Sequence, residues 1–405
     1  MFSTWDILHV LIFAYFALVL FKSKPEKTIT AFSRLTTIKV LPFLITGAVG
    51  FPVGLYSWDH SVWRDPDSRF ISFLESSKGS DFIEGDIYVN IADHVFPRDI
   101  PDLHRLLEFM QRIRSLGNRQ IIYVTYGDKN GADSGAFAEP SFFVDAFFDW
   151  VTSLTPETVQ SIVPLGISFD CERFPAEVVR DTLLYAQAVK LRYLDSHFGS
   201  KRESLSIQWV VEGKLNPRVT DAVMRFADSA LMMVYRNYLF FSPSDPAGYS
   251  GLSTRLRDYF LTQQCAGCMQ DEFATANYHA KISIMVEASC EVDDICPLVS
   301  FCAKHTESDF ITSGSPASSN PVEYLVSTLQ GLERIIFSDR EFTPDQRNRL
   351  FADRKSLFVI HNFEWFSCYF GDSDIAFKPA LCAKYARAAT ECRGDGTPII
   401  HHFSE

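Results

Sequence analysis

Eight short apolar runs alternate with longer amphipathic stretches from residue 51 onward, and this alternation constrains the fold more than any other feature. Near-continuous apolar strands separated by helical patterns are typical of parallel β-strands that are covered on both faces. One intervening stretch, "DLHRLLEFMQRIRSLG" (102–117), repeats its apolar residues at helical spacing and ends at a glycine. The predicted strands cover residues 53–59, 85–93, 120–128, 164–172, 205–213, 230–238, 281–289 and 357–365.

Eight strand–helix units in succession predict an α/β fold of the (β/α)8 TIM-barrel type for residues 51–405. A doubly wound open sheet is the alternative, but the chain has no GxGxxG or GxxxxGK[ST] loop that would support nucleotide binding in such a sheet. Two long intervals, 239–280 and 290–356, are predicted to be insertions beside the site, where barrels carry their functional loops.

Residues 1–50 are predicted to form a separate membrane-anchor or targeting region with a basic loop. The run "WDILHVLIFAYFALVLF" (5–21) is near the lower length limit for a spanning helix, and a second apolar run covers 40–56. If both runs span, the basic loop between them is cytoplasmic and the barrel is lumenal or extracellular; if only the first spans, the barrel is cytoplasmic. A cleaved signal peptide, with secretion of the barrel, is the third interpretation. We predict membrane association with a lumenal or extracellular barrel.

The charge and the cysteine content limit the classes of partner and cofactor that the chain is expected to bind. The net charge of −12 argues against nucleic acid, whose binders need a basic surface. The aromatic share of 14% suits a large core, a sugar-stacking cleft or a membrane contact. Cys265 and Cys268 have zinc-like spacing, but no second pair completes four ligands, so we predict neither a metal nor a cofactor. In an oxidising compartment, disulfides are the expected state of the cysteines between 265 and 302.

Polar and aromatic side chains recur where the predicted strands end. The active site of such a barrel lies at the carboxyl ends of its strands, so these residues form the candidate site. They are Trp58, Asp59, Asn90, Tyr126, Asp170, Glu172, Glu212, Tyr235, Arg236, Glu287 and Trp365.

The stretch "SFDCE" places two acids directly after an apolar strand. Asp170 and Glu172 share one face of the strand because side chains alternate. Two carboxyl groups this close do not readily both ionise, so one of them is expected to stay protonated. A protonated carboxyl near neutral pH is what a glycosidase needs to protonate a leaving oxygen. The alternative is a structural pair bridged to Arg173 or Arg236.

The same strand resembles a known signature. "LGISFDCE" is similar to the strand-four motif D-G-x-D-x-D-x-E of family-18 glycoside hydrolases, the chitinases and chitobiosidases. Gly166, Asp170 and Glu172 match this motif, whereas Leu165 and Ser168 replace its first two aspartates.

Two further motifs carry the resemblance, and one is missing. "MMVYRNY" resembles the family's sixth-strand M-x-Y-D, with Met233 and Tyr235 matching and Arg236 in place of the aspartate. Trp365 falls where the family has an eighth-strand tryptophan under the sugar. The third-strand S-x-G-G is absent, and "VTYGD" stands there.

The resemblance implies a glycoside hydrolase that acts on glycans containing N-acetylhexosamine. Glu172 would be the general acid, and Asp170 would orient and polarise the acetamido group that acts as internal nucleophile. Tyr235 would hydrogen-bond the acetamide oxygen, and Trp365 would form the floor of the subsite. Arg236 would change the preferred sugar. The departures from the motif also fit a non-catalytic carbohydrate-binding barrel.

Two other layouts remain open. Glu172 and Glu287 match the acid/base and nucleophile positions of the large retaining clan of barrel glycosidases, which requires carboxyls about 5–5.5 Å apart. His60 and His94, each preceded by an aspartate on adjacent predicted strands, would instead suit a metal-dependent hydrolase or phosphodiesterase.

Overall fold

The computed structural model describes residues 51–66, 68–76, 79, 84–92, 100–128, 138–171, 174–193, 205–211, 217–236, 239, 251–253, 256, 278–289, 301, 321–338 and 343–370. These residues belong to one compact unit, Gly50–Glu405. The predicted anchor region 1–50 lies outside the described residues, as do the predicted site residues Glu172 and Glu212 and also His94.

Eight parallel strands close into a barrel in chain order, which confirms the predicted (β/α)8 architecture. The ring is closed by the parallel pairing of the first and last strands, with Leu55 opposite Ile360. Each predicted strand overlaps an observed one. The strands are β1 (Gly54–Ser57), β2 (Ile87–Ala92), β3 (Ile122–Asp128), β4 (Leu165–Cys171), β5 (Leu205–Val211), β6 (Ser229–Met233), β7 (Lys281–Glu287) and β8 (Phe358–His361).

In the described residues, six of the seven intervals between consecutive strands contain helices, which cover the outside of the barrel. Thr155 begins one of them by accepting a hydrogen bond from the backbone N–H of Thr158. The helices are α1 (Ser61–Arg64), α2 (Arg69–Glu75), α3 (Ile100–Ser115), α4 (Ala138–Ser153), α5 (Pro156–Ile162), α6 (Ala176–Tyr193), α7 (Pro217–Phe226), α8 (Pro321–Phe337), α9 (Pro344–Leu350) and α10 (Phe363–Phe366).

Alternation along each strand sorts the side chains into two apolar layers. Outward side chains, such as Ile167 and Phe169, join the helices in one large core. Inward side chains form a smaller cluster inside the barrel. Burial of both faces stabilises the barrel by about 25 cal/mol for each Å² of apolar surface removed from water. The inward cluster comprises Tyr56, Tyr88, Tyr123, Val210, Leu231, Met233, Met285 and Val359.

Three tyrosines from β1, β2 and β3 stack across the barrel interior. The Tyr56 and Tyr88 rings lie 5.5 Å apart at 13°, and the Tyr88 and Tyr123 rings lie 4.7 Å apart at 8°. Gly166 makes room for this stack, because a Cβ there would stand 2.4 Å from the Tyr123 ring. The stack fills the barrel beneath its carboxyl end.

A buried polar network supports the stack. The side-chain amide of Gln208 donates to the Tyr88 hydroxyl and to Ser229, each over 3.1 Å. Its carbonyl oxygen accepts from Ser168 over 3.0 Å. Ser168, which replaces an aspartate of the family motif, is therefore bound to an amide.

Asp86 and Arg114 close the amino-terminal end of the barrel. Asp86 is buried and accepts a hydrogen bond from the backbone N–H of Ile121 over 3.0 Å. Arg114 donates to the backbone carbonyls of Ile162 and Pro164. Burial raises the pKa of Asp86 from 3.8 to about 7.

The eighth strand ends earlier than its apolar pattern predicts. The sequence favours strand from 357 to 365, but β8 stops at His361. Asn362 adopts a left-handed conformation with φ 70°, and the chain then enters α10. Asparagine tolerates this conformation better than most residues, so the turn is local in origin.

Most of the two predicted insertions lies outside the described residues, although α8 and α9 fall within 290–356. The described part of the chain contains no helix that is both long and apolar enough to span a bilayer. The predicted membrane segment 5–21 is not within that part. Cys368 is disulfide-bonded, and Cys171 is a buried free thiol.

Candidate active site

Asp170 faces the barrel interior near the carboxyl end of β4. It is 3% exposed, and the Tyr56 hydroxyl donates a hydrogen bond to its Oδ2 over 3.2 Å. Burial and the neighbouring Asp170 charge raise the pKa of Tyr56 well above its ordinary value, so this phenol remains a neutral donor. Glu172, the second acid of this stretch, lies outside the described residues.

His361, at the end of β8, lies at the centre of the described cluster. Its Nδ1 is hydrogen-bonded to Oε2 of Glu287, and its Nε2 accepts from the indole Nε1 of Trp58 over 2.6 Å. The Tyr235 ring stacks on the imidazole at 5.6 Å and 27°, and the Tyr56 ring lies 5.2 Å away. Sequence reasoning missed His361 because it extended the strand past this residue.

Glu287 holds the imidazole from the neighbouring strand. It is fully buried, and its Oε1 accepts the backbone N–H of Ser289 over 2.5 Å. Burial lowers the pKa of His361, but the charge of Glu287 and its hydrogen bond raise it, with Asp170 and Glu364 adding to the rise. The net shift is above the ordinary value.

Trp58 extends from the end of β1 across the barrel mouth to β3. A Cβ on Gly127 would stand 2.5 Å from Cζ3 of the indole, so only glycine leaves room for this ring. The Tyr56 ring contacts the indole at 5.3 Å and 49°. The side-chain amide of Asn90 approaches the Trp58 carbonyl at 3.5 Å. Trp58 is half-buried, so part of it remains accessible.

Glu364 in α10 fixes the chain that follows β1. Its Oε1 accepts from the Ser57 hydroxyl over 2.5 Å and from the backbone N–H of Asp59 over 2.9 Å. Its Oε2 is buried without a hydrogen-bond partner among the described residues. Burial raises the pKa of Glu364, which favours the neutral acid. The Asp59 carboxylate accepts the backbone N–H of Ser61 at the start of α1 over 2.8 Å.

Two predicted site residues, Tyr126 and Trp365, do not join the cluster. Tyr126 lies on the outward face of β3 and packs against Phe143 of α4 at 5.4 Å. Trp365 belongs to α10, and its side chain is buried in the outer core. Both were selected by their nearness to a strand end, whereas strand parity and the turn at Asn362 direct them away from the barrel interior. Arg236 is buried and donates to the backbone carbonyl of Tyr235 over 2.5 Å.

The metal alternative is not tested, because His94 lies outside the described residues. Only the described residues can be compared with it. Among these residues, no group of three or more His, Cys, Asp or Glu side chains is arranged to hold a metal ion. His60 precedes α1, and its ring lies 6.4 Å from the ring of Trp63.

The described cluster combines acids with aromatic surfaces at the end of the barrel where such folds carry chemistry. Asp170 offers a buried carboxyl that accepts the hydroxyl of Tyr56. Trp58 and Tyr235 offer flat faces that suit the apolar face of a ring-shaped ligand.

No protein-family model and no curated protein matches the chain. Three solved structures are similar to it in arrangement. The spore cortex-lytic enzyme SleL of Bacillus cereus has 8% identity and a TM-score of 0.40, over 82% of this chain and 74% of that one. A GH18 chitinase of Pseudoalteromonas aurantia has 10% identity and a TM-score of 0.35, over 83% of this chain and 99% of that one. A family GH18 chitinase of Cycas revoluta, in complex with allosamidin, has 11% identity and a TM-score of 0.38, over 82% of this chain and 99% of that one.

Proposed function

We propose that this chain is a glycoside hydrolase of the barrel type that cleaves glycans containing N-acetylhexosamine. Glu172 is the general acid, and Asp170 orients the acetamido group of the substrate. The observation that supports this assignment is the hydrogen bond from Tyr56 to Asp170 inside the barrel. This hydrogen bond fixes the orientation of the buried Asp170 carboxyl on the inner face of β4, which is what the proposed role in orienting the substrate requires.

Tyr235 supports the same assignment, since its ring lies in the cluster that contains His361 and Tyr56. The matched motif residues Asp170 and Tyr235 come from β4 and from the end of β6, respectively. Their gathering at one end of the barrel agrees with a shared role in binding the acetamido group.

Glu287 is poorly placed to act as the nucleophile of a retaining glycosidase. Attack on a sugar carbon requires a carboxylate oxygen that can approach the substrate. Both oxygens of Glu287 are hydrogen-bonded, one to His361 and one to Ser289, and the side chain is fully buried. We assign Glu287 to the support of His361.

A non-catalytic carbohydrate-binding barrel is the second candidate, and Ser168 favours it. The residue that replaces the motif's second aspartate is bound to the Gln208 amide, so no acid stands beneath Asp170 on the inner face of β4. Such a protein would retain the aromatic surfaces and lack turnover.

A lumenal or extracellular location remains part of the proposal. It agrees with the disulfide of Cys368, because disulfides persist mainly in oxidising compartments.

The experiment is a hydrolysis screen of the full chain on 4-methylumbelliferyl glycosides of N-acetylglucosamine, N-acetylgalactosamine, glucose, galactose and a sialic acid. Binding of the N-acetylglucosamine tetrasaccharide is measured in parallel by calorimetry. Release of fluorophore from an N-acetylhexosaminide or its oligomers supports the proposal. Tetrasaccharide binding without release supports the non-catalytic candidate. Absence of both contradicts the two together.

A further inference from the structure

His361 is the only described residue whose two ring nitrogens join strands on either side of the barrel closure. Nδ1 contacts Glu287 of β7, and Nε2 contacts Trp58 just after β1. The imidazole is 8% exposed. Nothing in the motif resemblance assigns a role to this residue.

The donors and acceptors fix the protonation of the ring. An indole nitrogen only donates, so Nε2 must accept and carries no proton. Nδ1 then carries the proton and donates it to the Glu287 carboxylate, whose other oxygen accepts the Ser289 N–H. The bonded state is therefore the neutral Nδ1–H tautomer, assigned from the hydrogen-bond partners.

The Trp58 indole is held at two edges. His361 holds the N–H edge, and the six-membered ring lies against the Cα of Gly127, where a methyl group would collide. The indole is thus fixed in one orientation while remaining half-buried. A rigid and partly accessible indole is a good stacking surface, because little conformational freedom is lost when a ligand binds.

We propose that His361 is a positioning residue that fixes the Trp58 indole across the barrel mouth as the stacking surface for a sugar ring, with Glu287 setting the tautomer. Trp58 thereby takes the place that the motif resemblance gives to Trp365. The stacking half of this proposal rests on the proposed function, whereas the positioning half does not.

Protonation of His361 should release the indole, because an imidazolium has no acceptor at Nε2. The titratable groups that face the ring in the described structure are Glu287, Asp170, Glu364, Tyr56 and Tyr235. The three acids favour the imidazolium, and the Trp58 N–H opposes it. The orientation of Trp58 is therefore expected to depend on pH.

The first test is the indole N–H signal of Trp58 in ¹H–¹⁵N correlation spectra of the full chain, assigned by its loss in Trp58→Phe. In His361→Asn the shorter amide keeps a donor toward Glu287 but does not reach Trp58. We expect the Trp58 signal to move upfield and its solvent exchange to accelerate. An unchanged Trp58 signal in folded His361→Asn would overturn the positioning role.

The second test is a pH titration of proteins that keep His361. The Trp58 indole signal and the His361 ring signal should move with one shared midpoint as pH falls. Glu287→Gln should lower that midpoint, because it removes the charge that favours the imidazolium. A Trp58 signal that does not respond to pH, or a midpoint unchanged in Glu287→Gln, contradicts the coupling.

The stacking half is tested with the N-acetylglucosamine tetrasaccharide. Trp58→Ala and His361→Asn should each weaken its binding by about tenfold or more, which corresponds to about 1.4 kcal/mol. If the indole signal moves but affinity is unchanged, Trp58 is positioned by His361 and is not the stacking surface. If the wild-type protein binds no tetrasaccharide, the stacking half fails. The proposed function fails with it only if the hydrolysis screen also shows no release, and the indole measurements still decide the positioning half.

Discussion

Glu287 and His361 are paired in register at the carboxyl ends of β7 and β8, and their side chains are hydrogen-bonded inside the barrel although 74 residues separate them. The same imidazole accepts the indole N–H of Trp58, which lies 303 residues away in the chain. Closure of β8 onto β1 brings the three together. The cluster is thus a product of the barrel's closure.

The hydrogen bond from Tyr56 to Asp170 is expected to contribute more to catalysis than the hydrogen bonds of the other stacked tyrosines do. Tyr56→Phe removes a donor to a buried carboxylate, a bond worth about 1.5–3 kcal/mol. If that energy orients Asp170, kcat/KM should fall by roughly 10- to 100-fold. Tyr123→Phe is the matched control, because it removes an equally buried hydroxyl that is bonded only to Ser206 and Ser229 in the described structure. Equal losses of kcat/KM in both variants would contradict the role of Tyr56.

Gly127 is expected to act through Trp58 alone. Gly127→Ala places a methyl group 2.5 Å from the indole, so tetrasaccharide binding should weaken by about tenfold as the ring shifts. In a Trp58→Ala background the same change has nothing to displace. A double-mutant cycle on the dissociation constant should therefore be strongly non-additive. Additive effects would show that Gly127 acts elsewhere.

Trp58 and Trp365 should differ in what their substitution changes. Trp365→Phe removes volume from the outer core and should lower the free energy of unfolding by about 1–3 kcal/mol, with tetrasaccharide affinity unchanged. Trp58→Phe keeps an aromatic ring but loses the bond to His361, so its main effect should be on affinity. Urea unfolding and calorimetry on the two variants check this. The reverse pattern would restore Trp365 as the subsite floor.

Asp86 should make the stability of the barrel depend on pH. Its pKa is raised from 3.8 to about 7 in the folded state, so the folded chain binds more protons than the unfolded chain between these values. Stability is then lost as pH rises from about 4 to 7. Asp86→Asn removes this loss. The free energy of unfolding of the variant should therefore rise relative to that of wild type across this window, by on the order of 3 kcal/mol. Urea denaturation at pH 4.5 and 7.5 measures it, and a constant difference would refute it.

The barrel could be predicted because its strands and helices carry their own local patterns. A run such as "LGISF" has no charged residue and is buried on both faces, with Leu165, Ile167 and Phe169 outward and the small Gly166 and Ser168 inward, and this pattern does not depend on distant residues. The end of β8 could not be predicted from apolarity, since apolar residues recur in "FVIHNFEWF" beyond the turn at Asn362.

The site could be predicted only in part. Asp170, Tyr235, Glu287 and Trp58 were found as polar or aromatic residues near strand ends, and they do gather around His361 and Tyr56. Tyr126 was selected by the same rule but faces outward, because nearness to a strand end does not determine the face. Because side chains two residues apart on a strand share a face, Tyr56 could have been identified from Trp58. His361 depends on where β8 ends and on its register with β7, which local sequence does not specify.

The most direct measurement of the central claim is the rate of fluorophore release from a 4-methylumbelliferyl N-acetylglucosamine oligomer by Glu172→Gln. The matched control is Glu108→Gln, the same chemical change at an exposed position on α3. We predict that Glu172→Gln lowers kcat by about 10²- to 10⁴-fold while the tetrasaccharide still binds, and that Glu108→Gln does neither. Undiminished release by Glu172→Gln would contradict the proposal that this residue donates the proton.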